Sequence, residues 1–174
     1  YNGQATARSI SSDAQITDSL DDVLQDDQIL GIALATPAET HAKLAIQAMQ
    51  AGKDVFVEKP MALTLEDAEK MKDLAEETSR ILMVGHLLEY HPAVLKLREM
   101  ITSGELGKIN YIYSNRLNFG KVRTEENALW SFAPHDVAVI LRLMGQSPVE
   151  VSATGGSYLS NGIADTTLSN LRID

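Results

Sequence analysis

The chain reads as α/β, a doubly wound parallel sheet followed by part of an α+β domain whose sheet is mainly antiparallel. Three observations predict this. Short runs apolar on both faces, residues 29–35, 55–57 and 81–84, alternate with helical patterns. After Gly85 the strand-like segments lengthen and alternate in polarity. At 174 residues and 44% hydrophobic, the chain can bury a core in one domain or in parts of two.

In order along the chain, residues 17–26 carry Leu20, Val23 and Leu24 at helical spacing and lead into the first apolar run. Thr36-Pro37-Ala38-Glu39 then predicts a helix start, with Thr36 as N-cap, Pro37 at the first helical position and Glu39 closing a capping box. Ala38, His41, Ala42, Ala45, Ala48 and Met49 form its inner stripe, and Gly52 stops it. The second run, V-F-V, ends in Glu58-Lys59-Pro60. A third helix from about residue 64 places Leu65, Ala68, Met71, Leu74 and Ala75 on one face before the third run.

The boundary is expected near residue 90, giving domains 1–90 and 91–174. In the second, a helix over 92–102 ends in S-G-E-L-G, and 108–118 alternates as a long half-buried strand. Ile109, Tyr111, Tyr113 and Leu117 are expected on one side, and Asn110, Ser114, Arg116 and Asn118 on the other. A helix over 134–144 and strands over 149–158 and 166–173 complete it. The start at Tyr1 and the end at Asp174, inside a strand-like pattern, lead us to expect a fragment.

Composition narrows the function. A formal net charge of −9 opposes general binding to nucleic acid or anionic membrane, while leaving room for one phosphorylated ligand. With no cysteine there is no disulfide, thiolate catalyst or sulfur-based zinc site, which is compatible with a reducing cytoplasm. We expect no metal, no membrane span and no visible export signal.

Ligands of open parallel sheets bind outside the C-terminal ends of the strands. Two such ends stand out. Ala35 to His41, A-T-P-A-E-T-H, either approaches a ribose or nicotinamide or is simply a capped helix start. Glu58-Lys59-Pro60 sets an amine at a buried strand end, where proton chemistry becomes available, or else is a solvated turn with an ordinary ion pair. Pro60 holds Lys59 extended. A third constellation is W-S-F-A-P-H-D, Trp130 to Asp136. His135, placed in the first turn of a helix behind Pro134, is expected to feel the positive dipole end, which disfavours an imidazolium and leaves a proton acceptor. A satisfied structural histidine is the alternative, and Asp136 either caps the helix or orients the ring.

The order A-T-P-x-x-x-H, V-x-V-E-K-P, G-x-L-G-x-I and P-H-D resembles the Gfo/Idh/MocA family of NAD(P)-dependent sugar and polyol oxidoreductases over roughly residues 17–174. That resemblance implies a partial Rossmann domain, NAD or NADP as cofactor, and hydride transfer at a sugar carbon bearing a hydroxyl. It implies that Lys59 contacts the substrate hydroxyl and the nicotinamide ribose, and that His135 accepts the proton. Thr36, Pro37, His41, Glu58, Lys59 and Pro60 would lie along the cofactor.

The run 115–123 with the Trp130 segment looks most like members acting on nucleotide-linked amino sugars, the UDP-N-acetylglucosamine 3-dehydrogenases. This assigns Arg116, Asn118, Trp130 and Asp136 to the substrate, although an exposed polar sheet face is also consistent with a solvated surface or a subunit contact. The partner is then a sugar or nucleotide sugar, and the assembly a homodimer or homotetramer. A simple sugar or inositol dehydrogenase, or a non-catalytic dinucleotide-sensing regulator, is the alternative.

Several departures from the family pattern stand out. The phosphate-binding G-x-G-x-x-G turn and the acid that grips the adenosine ribose are absent, and both are expected upstream of Tyr1. Without that acid, NAD and NADP are not distinguished. Ser131 stands where an acid often precedes the histidine, and Glu89 where arginine is common.

Overall fold

The computed structural model describes residues 15–117, 127–159 and 162–174. The chain divides into two units, Tyr1–Val84 and Gly85–Asp174.

In the first unit the described elements run α1 (Leu20–Gln25), β1 (Gly31–Leu34), α2 (Ala38–Gln50), β2 (Asp54–Val57), α3 (Leu65–Thr78) and β3 (Leu82–Val84). The strands are parallel in the order β1-β2-β3, with Ile32 opposite Val55 and Val55 opposite Leu82. Each strand joins the next through one helix, and α2 and α3 pack on each other. Leu34, Val55 and Val57 from the sheet meet Ala45, Ala48 and Met49 of α2 and Met71 of α3 in a single buried cluster. Small alanines on α2 let the helix backbone approach the strands, and the two methionines fill what remains.

Local chemistry sets the ends of these elements. Ser19 caps α1 by accepting from the Asp22 amide. The chain leaves α2 through Gly52 at φ +76°, a left-handed position suited to glycine. Thr64 caps α3, its hydroxyl accepting from the Asp67 N–H at 3.1 Å. Thr64→Ala is expected to cost about 0.5–2 kcal/mol, read as a lower urea midpoint with an unchanged slope. The inner face of α3 excludes one residue assigned to it by spacing: Leu65, in the first turn, is 75% exposed, whereas Met71 is fully buried. Helical periodicity names a face, but the length of strand beneath decides how much of that face is covered.

In the second unit a 3-10 turn (Leu87–Tyr90) precedes α4 (Pro92–Thr102), α5 (Ala128–Met144), β4 (Glu150–Gly156) and β5 (Thr166–Arg172). β4 and β5 pair antiparallel from Glu150 opposite Arg172 to Gly156 opposite Thr166. The pair is closed at one end by an Arg172 Nε to Glu150 carboxylate contact of 3.0 Å. The helix α4 starts at the expected proline, with His91 as N-cap.

Two expectations are corrected here. Over 108–117 no regular strand forms among the described residues, and Tyr111, Tyr113 and Leu117 are largely exposed. Alternating polarity marks sides, but a strand also needs a backbone ladder, and among the described residues the second unit's only strand pairing is β4 with β5. Asn118 lies outside the described residues. The helix expected from residue 134 instead begins at Ala128, with Pro134 inside it. The Asn127 side chain caps this earlier start, accepting from the Trp130 N–H at 3.0 Å. The proline therefore forfeits one interior bond instead of opening the helix. No helix among the described residues is long and apolar enough to cross a membrane.

Candidate functional site

At the C-terminal end of β1 the chain turns through Ala35, Thr36 and Pro37 into α2. Thr36 does not cap the helix as its spacing suggests. Pro37 occupies the N-cap position, with ψ 141° and no side-chain cap bond. The Thr36 hydroxyl instead shares a 2.7 Å hydrogen bond with that of Thr40, which donates to the Pro37 carbonyl at 2.8 Å. An extended proline cannot be the first residue of a helix, so the start moves one residue on. Thr36 and Pro37 are exposed.

One strand along, β2 ends in Glu58-Lys59-Pro60, all half-buried. The Glu58 amide donates to the Leu34 carbonyl of β1 at 2.9 Å, so the turn begins in register with its neighbour. The Lys59–Pro60 peptide is cis. The Lys59 amide donates to the Glu58 carboxylate at 3.3 Å.

His41, on the first turn of α2, joins the two strand ends. It is 1% exposed. Its Nδ1 lies 2.8 Å from the Pro60 carbonyl oxygen and its Nε2 2.9 Å from that of Thr36. Both partners are acceptors only, so each bond requires an N–H on the ring. A neutral imidazole supplies one such N–H and an imidazolium both. Both ring nitrogens of the side chain placed along the cofactor by its motif thus face backbone carbonyls. Spacing showed that His41 was on the inner stripe of α2 but gave no sign of what it would meet, because Pro60 is 19 residues away in sequence.

In the second unit, His135 lies in the middle of α5, half-buried. The dipole argument attached to a first-turn position does not hold there, since that field fades within the first turn. Ser131 is one helical turn before it, on the same face, and is buried. Asp136 neither caps the helix, being mid-helix, nor leaves an oxygen uncommitted. Ser114 Oγ donates to Oδ1 at 3.0 Å and Arg116 Nε to Oδ2 at 2.6 Å. The carboxylate thereby pins 114–116 to α5 and neutralises the arginine, both side chains being partly buried. Arg116 and Asp136 line a cleft of about 1000 Å³ with Phe132, Ala133, Ile140 and Tyr158. Trp130 is 43% exposed on the first turn of the helix. Glu89, read as a departure, pairs with Arg142 of α5 at 3.1 Å and joins the 3-10 turn to that helix.

A parallel βαβαβ unit with polar turns at adjacent strand ends, followed by an α+β unit, places the first unit in the doubly wound α/β class, whose ligands bind outside those strand ends. Residues 2–86 match the family model described as oxidoreductase family, NAD-binding Rossmann fold, and residues 94–174 match the GFO/IDH/MocA C-terminal domain. The chain belongs to the Gfo/Idh/MocA oxidoreductase family.

Among its relatives is the 2,7-anhydro-N-acetylneuraminate hydratase of Mediterraneibacter gnavus, 30% identical over 94% of this chain and 46% of that protein. The UDP-N-acetylglucosamine 3-dehydrogenase of Acidithiobacillus ferrooxidans is 33% identical over 74% of this chain and 40% of that protein. The solved structure of an enzyme of that name from the same organism matches with a TM-score of 0.82 at 28% identity, covering 96% of this chain and 51% of that one. The chain spans about half the length of the curated relatives it matches, or somewhat less.

Proposed function

We propose that the full-length protein transfers a hydride between a nicotinamide dinucleotide, NAD or NADP, and the carbinol carbon of a sugar, in particular a nucleotide-linked one. The observation that carries this reading is the rim at the ends of β1 and β2. There the A-T-P and E-K-P turns are tied together by His41, at the position where ligands of parallel sheets bind. The donor set fits the ribose and nicotinamide end of the cofactor: exposed Thr36 and Pro37 on one turn, half-buried Glu58, Lys59 and Pro60 on the other. It does not extend to the pyrophosphate, since no G-x-G-x-x-G occurs among the 174 residues.

The nicotinamide, when bound, supplies the hydride acceptor. Lys59 orients the substrate hydroxyl, and His135 takes the proton released as that hydroxyl becomes a carbonyl. Arg116, tied to Asp136, and Trp130 serve the sugar or its diphosphate. We place the protein in the cytoplasm as a homodimer or homotetramer.

The test is reduction of NAD and NADP by the full-length protein across a panel of UDP-sugars, simple sugars and inositols. A rise in reduced dinucleotide with a UDP-amino sugar supports the proposal, while cofactor binding without turnover on any member favours a sensor. The relative named a hydratase motivates a second reading, net addition of water to an anhydro sugar. In that case product forms with no accumulation of reduced dinucleotide.

A further inference from the structure

We propose that His41 is a positioning residue: it sets where the Glu58-Lys59-Pro60 turn lies by holding the backbone on both sides of the rim, and touches neither cofactor nor substrate. This rests on the reading of Lys59 as the residue that orients the substrate hydroxyl. The ring is buried at 1% exposure, among the residues that close the core below it. Its two nitrogens, 2.8 and 2.9 Å from the carbonyls of Pro60 and Thr36, span the turns that follow two different strands.

The strand ladder ends at Leu34 opposite Val57, and beyond it only the Glu58 amide to Leu34 carbonyl bond continues the pairing. Past that point the turns would diverge freely unless a side chain joined them. Pro60 is the residue after Lys59, so a shift of its carbonyl carries the Lys59 backbone with it. Only a donor at each end of a rigid ring serves, because both partners accept and neither donates. The doubly protonated ring offers that geometry, whereas a neutral ring donates to one carbonyl only. The clamp also explains why a polar side chain occupies the inner stripe of α2, where a methionine or leucine would otherwise pack.

The experiment uses the full-length protein. His41→Leu keeps most of the volume and removes both donors, while His41→Gln keeps an amide that can donate. A displaced general-acid/base or orienting group costs up to about 100-fold in rate for a shift near 1 Å. We therefore expect His41→Leu to lose about 10- to 100-fold in kcat with KM changed less, and His41→Gln to recover part of it at equal thermal stability. Equal kcat in the wild type and the leucine variant overturns the proposal, as does an equal loss in both variants.

Should the leucine variant fail to fold, nitrogen-15 NMR of the wild-type ring decides. Slowly exchanging N–H protons on both ring nitrogens, coupled to the Pro60 and Thr36 carbonyls, support the clamp, and coupling on one side only or a freely exchanging ring overturns it. That measurement needs no substrate, so absence of turnover on the whole sugar panel sinks the proposed function and leaves the clamp to be judged by the NMR result.

Discussion

His135→Ala in the full-length protein is expected to lower kcat about 100- to 10,000-fold, the usual worth of a positioned proton acceptor, with the fold retained. The side chain projects from the middle of a 17-residue helix capped by Asn127 and stopped at Gly145, so its removal leaves the scaffold in place. Dinucleotide absorbance under saturating cofactor gives kcat, and a thermal melt confirms folding. Lys59→Ala, removing an orienting group, is expected to cost less in kcat than His135→Ala, with KM for the sugar changed less than kcat. Unchanged turnover in both variants would defeat the roles assigned to them.

Because His135 stands mid-helix, the helix dipole does not act on it as it would at a first-turn position. Ser131, buried one turn earlier on the same face, is the position to vary next. Exchange to Asp tests whether a carboxylate one turn before His135 raises turnover. Glu89 is the other departure from the family pattern. Its carboxylate and Arg142, each about a quarter exposed, pair within the second unit.

The second large effect is on stability. Met71→Ala is expected to destabilise the first unit by about 2–5 kcal/mol, the sum of lost burial and the cavity left behind. Met71 of α3 is fully buried in the cluster with Met49, Val55 and Val57. Leu65→Ala on the same helix is expected within about 0.5 kcal/mol of the parent, as for other exposed positions. Urea unfolding followed by circular dichroism compares the two. Similar losses would show that the sequence periodicity, which put Leu65 and Met71 on one face, describes the packing better than the structure does.

The contrast between those two residues shows how far the pattern in the sequence reaches. Apolar runs bounded by turn residues located all three parallel strands to within a few residues, because burial between layers demands continuous apolar chain. Gly52 and Thr64 marked helix ends correctly, since each acts on its own few neighbours. Proline was less reliable. Pro37 was read as the first helical residue and is the cap, and Pro134 was read as a helix start and lies inside one. Proline only excludes a donor and fixes φ, and both placements satisfy that; the cap at Asn127 broke the tie.

By itself the sequence determined the alternation of strand and helix, the two motif-bearing strand ends and the family to which they belong. All of these depend on residues adjacent in the chain or on periodic spacing. Tertiary structure alone decided that 108–117 does not form a ladder, that Asp136 holds Ser114 and Arg116, and that His41 bridges Thr36 and Pro60. Those outcomes turn on which donors and acceptors meet across some 20 residues of chain. A hydrogen bond is specified by direction and a few tenths of an ångström, and no spacing rule along the chain carries that information.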